Sequence, residues 1–370
     1  MPKRKAPPPA SDGTVRVTPP VDKDAFLHSK PISLRVLGDY LDLSPATISL
    51  VLNNAPGVRS IPQETRDRVL AAAKKFDYRP SFYARSLRRK QSFSVGVLVP
   101  ELSDGYSVLI MDGIEEVLME EGYFYLAASH RRKADLIEEY PRLLMDRSVE
   151  GFIAIDTALQ HSLPIPVVAV ASHRKIDGVT NIALDHRRAA ELAMRHLYQL
   201  GHRQIAFMRG QTFSSDSDDR WKNLMTVSRE LGIQVHPELV VQLELNLSSP
   251  ELGYPVAQHL IQQKRPFTAL VSFNDIAAIG AMRGFRDHNL RVPEDISVVG
   301  FDDIQGAAYH NPSLTTIRQP LRYMGTTAAK ILLARLRAEK EDPGHVAIAP
   351  ELIIRESTLP PNPKRMIRHA

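Results

Sequence analysis

The stretch "SPATISLVLNNAP", Ser44–Pro56, decides how the chain is read. Ser44 is a good N-cap, and Pro45 suits the first helical position, where its missing N–H costs nothing. Ile48, Val51 and Leu52 fall at helical spacing and can share a small core with Val36, Leu37 and Leu41 of the preceding pattern, "SLRVLGDYLDL". Only a turn, "LDLS", separates the two, and Gly38 has no side chain to hold them apart. A third helical pattern, "PQETRDRVLAAAKKFDY", follows. Two short helices joined by a tight turn and backed by a third make a helix-turn-helix. The same pattern also fits a plain three-helix cap on a larger domain. What remains is a face of Pro45, Ala46, Ser49, Leu50 and Asn53, available to a partner.

Around this nucleus the composition is uneven. The 370 residues carry 47 Lys plus Arg against 42 Asp plus Glu, and the basic residues crowd into the first ninety. Local positive charge of this kind suits a polyanion near the N-terminus. Residues 1–30 are Pro-rich and basic ("KRKAPPP", "VTPPVDKD") and cannot bury enough apolar surface to fold, so they are expected to form a tail. Residues 31–78 hold the three helical patterns; residues 79–91, "RPSFYARSLRRKQ", are too charged for a core and too short for an independent helix. The absence of Cys excludes disulfides and thiolate metal sites. Neither a secretory signal nor an apolar run of membrane-spanning length is present, and the expectation is a cytoplasmic protein.

Beyond Ser92 the pattern changes. Apolar runs such as "SVGVLVP", "GFIAID", "IPVVAVA", "QIAFM", "ALVSF" and "ISVVGFDD" alternate with amphipathic helices. Continuous apolar strands between helices indicate parallel sheets covered on both faces. There are too many strands for one compact sheet, so residues 92–360 are expected to form two α/β lobes, with 361–370 a short tail.

The ordered set "SPATISLVLNNAP", "ETRDRVLAAAKKFDYRP", "ARSLRRKQS", "VGVLVPELSDGY", "LGHRQIAFM", "FNDIAAIGAM", "VPEDISVVGFDD", "PSLTTIRQP" and "ELIIREST" resembles the lac-repressor family of bacterial regulators from about Leu34 to Pro360. The resemblance implies an α/β protein: a three-helix DNA-binding domain and a hinge helix, then a two-lobed periplasmic-binding-protein-like domain with two parallel sheets. It implies a homodimer on a palindromic double-stranded operator, controlled by a small sugar-like effector. Pro45, Ala46 and Leu50 occupy the base-facing positions, and Ser44, Thr47, Ser49 and Asn53 can donate to phosphates. In the hinge, Leu87 matches the residue that wedges into the minor groove. Ala84 is small enough for close approach, and Arg85 and Arg88 supply phosphate charge.

Three positions depart from the pattern. Leu50 stands where the family usually has Arg, so it either touches a thymine methyl or reads nothing. The loop "NNAPGVRSIPQET" is longer than usual, and Ala171 stands where many members carry an acid.

Ligands of parallel α/β sheets sit beyond the carboxyl ends of the strands. The residues following those ends are Tyr106, Asp156, Arg220 with Trp221, Asn274 and Asp302, a set of acids, amide, guanidinium and aromatic rings suited to a polyhydroxylated ligand. The resemblance places effector-binding positions on Arg220, Asn274 and Asp302. Asp275 is expected to cap the next helix and Asp303 to bond loop backbone, while Trp221, the only Trp, suits packing as well as stacking on a ligand. An acid/base enzyme using Asp302 and Asp303 lacks a nucleophile elbow, an HExxH pair or a phosphate loop. No cofactor or metal is implied. A sugar-binding protein without DNA binding has no use for residues 32–91. The C-terminal "PPNPKRMIRHA" carries no leucine heptads, which favours a dimer over a tetramer.

Overall fold

The computed structural model describes residues 32–78, 91–102, 105–171, 175–244, 249–263, 265–339 and 343–362. The expected N-terminal tail and the hinge positions Ala84, Arg85, Leu87 and Arg88 lie outside the described residues. The chain divides into two compact units, Met1–Lys90 and Gln91–Ala370.

In the first unit, α1 (Leu34–Leu41), α2 (Pro45–Leu52) and α3 (Gln63–Lys75) pack around Leu37, Leu41, Ile48, Val51, Val69 and Ala72. Ser33 caps α1 by accepting from Val36 N, and Ser44 caps α2 by accepting from Thr47 N at 3.1 Å. The turn between α1 and α2 closes through Leu43 N–H to Gly38 O at 3.0 Å, with Asp42 in the left-handed region (φ 57°). A Cβ at Gly38 would lie 2.8 Å from Leu43 O, so the expectation that glycine lets the helices meet has a specific cause. Val36 is half-buried and outside the apolar cluster, contrary to expectation; Tyr40, one turn on, packs there, edge-on to Phe76 at 4.9 Å. The long loop after α2 uses Gly57 at φ 95° to enter a 3₁₀ turn, Val58–Ser60.

The second unit has two six-stranded sheets. The first takes β1 (Ser94–Val99), β2 (Phe124–Ser129), β3 (Gly151–Ile155), β4 (Val167–Val170), β5 (Val179–Leu184) and β11 (His345–Ile348). Their order is β11-β5-β4-β3-β1-β2, all parallel. Every residue of β1, β3 and β4 is buried, as continuous apolar runs require when helices cover both faces. Those helices are α4 (Gly105–Glu120) and α11 (Leu321–Leu336) on one face and α5 (Ala134–Met145) on the other.

The second sheet takes β6 (Ile205–Arg209), β7 (Val240–Gln242), β8 (Ala269–Val271), β9 (Ser297–Asp302), β10 (Thr315–Arg318) and β12 (Glu351–Ile353), in the order β12-β10-β9-β8-β6-β7. α6 (His186–Leu200) and α7 (Ser215–Glu230) cover one face, and α8 (Tyr254–Gln262) and α9 (Asp275–Asp287) the other. A short helix, α10 (Gln305–Tyr309), follows β9. This sheet is not wholly parallel: β12 runs antiparallel to β10. The chain reaches β12 straight from β11 in the other sheet, with no crossover helix to bring it back in the parallel sense. Because the chain passes between lobes after β5, β10 and β11, the carboxyl ends of the parallel strands of both sheets can face one cleft.

Candidate functional site

On α2 the residues expected to face DNA are mostly accessible. Pro45 and Ala46 are exposed, and Thr47, Ser49 and Leu50 are half-exposed beside the buried Ile48 and Val51. Two polar members are already engaged. Ser44 Oγ is the N-cap and lies 2.9 Å from Thr47 Oγ1, while Asn53 Nδ2 donates to Ser49 O at 2.7 Å and lies 3.2 Å from Ser49 Oγ. A phosphate contact by Asn53 therefore requires its amide to leave the end of its own helix. Arg59 is exposed in the 3₁₀ turn.

In the second unit a cleft of about 650 Å³, including its open mouth, lies between the lobes. From the first sheet's side come Glu101, Tyr106, Arg132 and Asp156; from the second come Asp216, Arg220, Asn274 and Asp302, among others. Arg220 is 3% exposed. Its guanidinium lies 3.9 Å above the Phe301 ring and 4.6 Å from Phe273, donates to Phe273 O, and reaches Asp216 at 3.6 Å one helical turn back. The opposite carboxylate oxygen of Asp216 meets His186 Nε2 at 3.3 Å. Arg220 Nε and the Tyr106 hydroxyl are both buried without a hydrogen-bond partner among the described residues. Burial pushes the Tyr106 phenol well above its ordinary range, and Asp216, Asp156 and Asp302 add to the rise against an opposing contribution from Arg220.

Three acids at the ends of β8 and β9 separate into three roles. Asp302 (φ 107°) and Asp303 (φ 58°) are both left-handed, which sends neighbouring carboxylates in different directions. Asp302 faces the cleft and accepts from Gln319 Nε2 at 2.6 Å. Asp303 pairs with Arg318 at 2.7 Å and Arg355 at 2.6 Å, so it bonds side chains rather than loop backbone. The expected cap of α9 also moves by one residue. Asn274 Oδ1 accepts from Ala277 N at 2.9 Å, leaving Asp275, which is fully buried, to accept from Thr316 Oγ1 at 2.6 Å and Ile304 N at 3.0 Å. Gly300 makes room for that carboxylate, since a Cβ there would sit 2.1 Å from Asp275 Oδ1. Burial first, then Asp302, raises the Asp275 pKa well above the usual carboxylate range.

Tyr106, Asp156, Arg220, Asn274 and Asp302 all line the cleft; Trp221 does not. One residue further along α7 is about 100° around the helix, and Trp221 packs edge-on to Phe207 at 5.8 Å, beneath Arg209 at 5.1 Å. Its assignment to the ligand site is corrected to a packing role. Arg132 and Phe213 went unread in the sequence because they sit in loops. Arg132 pairs with Asp156 at 2.8 Å in its own lobe and lies over the Phe213 ring of the other lobe at 4.5 Å.

Arg132 is held in turn by the buried His130. Its Nδ1 accepts from Arg132 N at 3.0 Å, so its Nε2 carries the proton and donates to Thr157 Oγ1 at 3.0 Å. Burial, with Arg132 beside it, lowers the His130 pKa to about 4. The unfolded chain therefore takes up a proton near pH 6.5 that the folded chain resists until about 4, and stability falls as pH falls through that window. Urea unfolding should show a loss of up to ~3 kcal/mol between pH 7 and pH 4 at this group. His130→Gln should remove that step from the pH profile while leaving the contributions of other groups.

The comparisons with known proteins agree with this architecture. The pattern described as bacterial regulatory proteins, lacI family, matches residues 42–81, and that of a periplasmic binding protein-like domain matches 194–358. The HTH-type transcriptional repressor PurR of Yersinia pestis bv. Antiqua (strain Antiqua) is 30% identical over 334 residues, covering 88% of this chain and 96% of its own. The HTH-type transcriptional regulator RegA of Clostridium saccharobutylicum is 30% identical over 335 residues, covering 88% and 99%. A lac repressor dimer solved with operator and the anti-inducer ONPF superposes with a TM-score of 0.80 at 26% identity, covering 89% of this chain and all of that one. A helix-turn-helix joined to a two-lobed ligand-binding fold defines a DNA-binding transcriptional regulator. The chain belongs to the lacI family of bacterial regulatory proteins. Among the described residues, no helix is long and apolar enough to cross a membrane.

Proposed function

We propose that the chain binds a palindromic operator as a homodimer and that a small polyhydroxylated effector in the inter-lobe cleft controls that binding. The observation that carries the effector reading is the pair of buried, unpartnered polar atoms, Arg220 Nε and Tyr106 Oη, lining one cleft at the strand ends. Buried polar groups are normally satisfied, so orphans that line a cleft are places for ligand atoms. Asp156, Asp302 and the Asn274 amide complete a set of acceptors and donors for hydroxyl groups.

At the other end, Pro45, Ala46 and Leu50 contact base edges, while Ser44, Thr47, Ser49 and Asn53 position the helix on phosphates. Ala84, Arg85, Leu87 and Arg88, outside the described residues, supply the minor-groove hinge. Support comes from the exposed face of α2 and from the likeness to a repressor solved as an operator-bound dimer.

The test is operator titration with and without sugars that raise the melting temperature. A stabilising ligand that leaves operator affinity unchanged would break the proposed link. For the reading face, Leu50→Arg supplies a fork for guanine and should shift the preferred half-site at one position by roughly 1–3 kcal/mol. Identical motifs selected by both proteins would show that Leu50 reads no base.

A further inference from the structure

The charges that line the cleft are unequal in number and in availability. Four carboxylates face it, Glu101, Asp156, Asp216 and Asp302, against two guanidinium groups, Arg132 and Arg220. Both cations are already committed. Arg132 is paired with Asp156 at 2.8 Å and stacked on Phe213, while Arg220 is spent on the Phe273 carbonyl and on Asp216. Of the three guanidinium nitrogens of Arg220, only Nε has no partner among the described residues.

From this arrangement we infer that the cleft takes an uncharged, hydroxyl-rich ligand and rejects the phosphorylated or carboxylated form of the same molecule. The inference rests on the effector reading above and narrows it. A hydroxyl can accept from Arg220 Nε–H and donate to a carboxylate, so an uncharged polyol satisfies the lining without breaking any pair. An anion that seeks either guanidinium competes with the carboxylate already beside it, Asp156 for Arg132 and Asp216 for Arg220, in a cleft lined by four acids. In a partly desolvated cleft that repulsion is not screened as it would be in water. At Tyr106, on the cleft lining, burial is the first cause of the raised phenol pKa, and the three carboxylates add to it against one arginine.

The experiment uses the full chain and matched probes: glucose with glucose 6-phosphate, galactose with galactonate, ribose with ribose 5-phosphate, and hypoxanthine as a base. Thermal unfolding finds binders, and calorimetric titration compares each pair. The expected result is saturable stabilisation by at least one neutral sugar, with its anionic partner about tenfold or more weaker. An anionic form that binds as tightly as its parent overturns the inference but leaves a sugar effector standing. Stabilisation by hypoxanthine alone, or by none of the probes, overturns the sugar reading and the inference with it. Asp156→Asn provides a second arm, since it removes one acid and releases Arg132. It should narrow the ratio between sugar and anion by strengthening the anion. A variant that weakens both forms equally would mark Asp156 as a scaffold only and overturn the electrostatic account.

Discussion

Arg220→Ala should abolish the response to the proposed effector while operator binding persists, with ligand affinity down about a hundredfold or more. The size follows from how much one side chain does. Its guanidinium covers Phe301, donates to the Phe273 carbonyl, reaches Asp216 on its own helix, and presents a buried Nε–H to the cleft. Truncation removes the ligand donor and uncovers the carboxylate of Asp216, which stays buried beside His186. Breaking a buried pair from one side costs about 3–5 kcal/mol of stability, and water entering an open cleft keeps the figure toward the low end. Loss of response must therefore be separated from loss of fold, by circular dichroism and by operator titration without ligand. Arg220→Lys is the control. It keeps charge near Asp216, but its donors radiate from one nitrogen and cannot span the Phe273 carbonyl, Asp216 and the cleft as a planar fork does, so it should fall between wild type and alanine. A folded Arg220→Ala protein that answers the effector like wild type would end the assignment.

What the sequence made legible follows from where order is local. The helix-turn-helix could be read because its signals lie within a few residues of each other: Ser44 as cap, Pro45 behind it, and the apolar spacing of Ile48 and Val51. The strands β1, β3 and β9 could be read because burial on both faces leaves an unbroken apolar run. The short edge strands β7, β11 and β12 carry no such run, since each is only partly buried and three or four residues long. Cleft residues at strand ends were visible from topology alone, which is how Asp156 and Asp302 came to be named. Arg132 was not visible, because its place depends on two left-handed residues, Arg131 and Arg132, pinned by a histidine whose tautomer only the fold defines. For Trp221 the sequence leaves packing and stacking both open, because adjacency in sequence is not adjacency on a helix. Asp275 and Asn274 exchanged parts for a related reason. Either side chain can cap a helix, and the choice follows from the buried Thr316 hydroxyl, 41 residues away in sequence, which donates to the Asp275 carboxylate while Asn274 accepts from Ala277 N.

Gly38→Val should destroy specific operator binding while leaving ligand binding in the second unit untouched. At Gly38 the obstacle is backbone, since a Cβ meets Leu43 O at 2.8 Å, in a turn whose own hydrogen bond runs from Leu43 N to Gly38 O at 3.0 Å. Neither partner can swing aside as a flexible side chain would, and Asp42 already holds the left-handed conformation that makes the turn tight. Valine adds two methyl groups to that contact and stiffens χ1 within α1. Overpacking of this kind costs roughly 1–3 kcal/mol in a large core. Here the core is six buried side chains on three short helices, and so small a unit has only a few kcal/mol to lose. Forcing α1 from α2 also moves the reading face, because α2 is placed by Ile48 and Val51 against Leu37 and Leu41. Specific affinity should fall toward the non-specific level, a loss on the order of 10³-fold, and the remaining binding should be steeply salt-dependent. Gly38→Ala, with one methyl, should fall short of this and retain part of the specificity. The measurement is titration of one operator fragment and one scrambled fragment at two salt concentrations, alongside the thermal shift produced by ligand. If Gly38→Val separates operator from scrambled DNA as well as wild type does, the turn is not what sets the geometry of the reading helix.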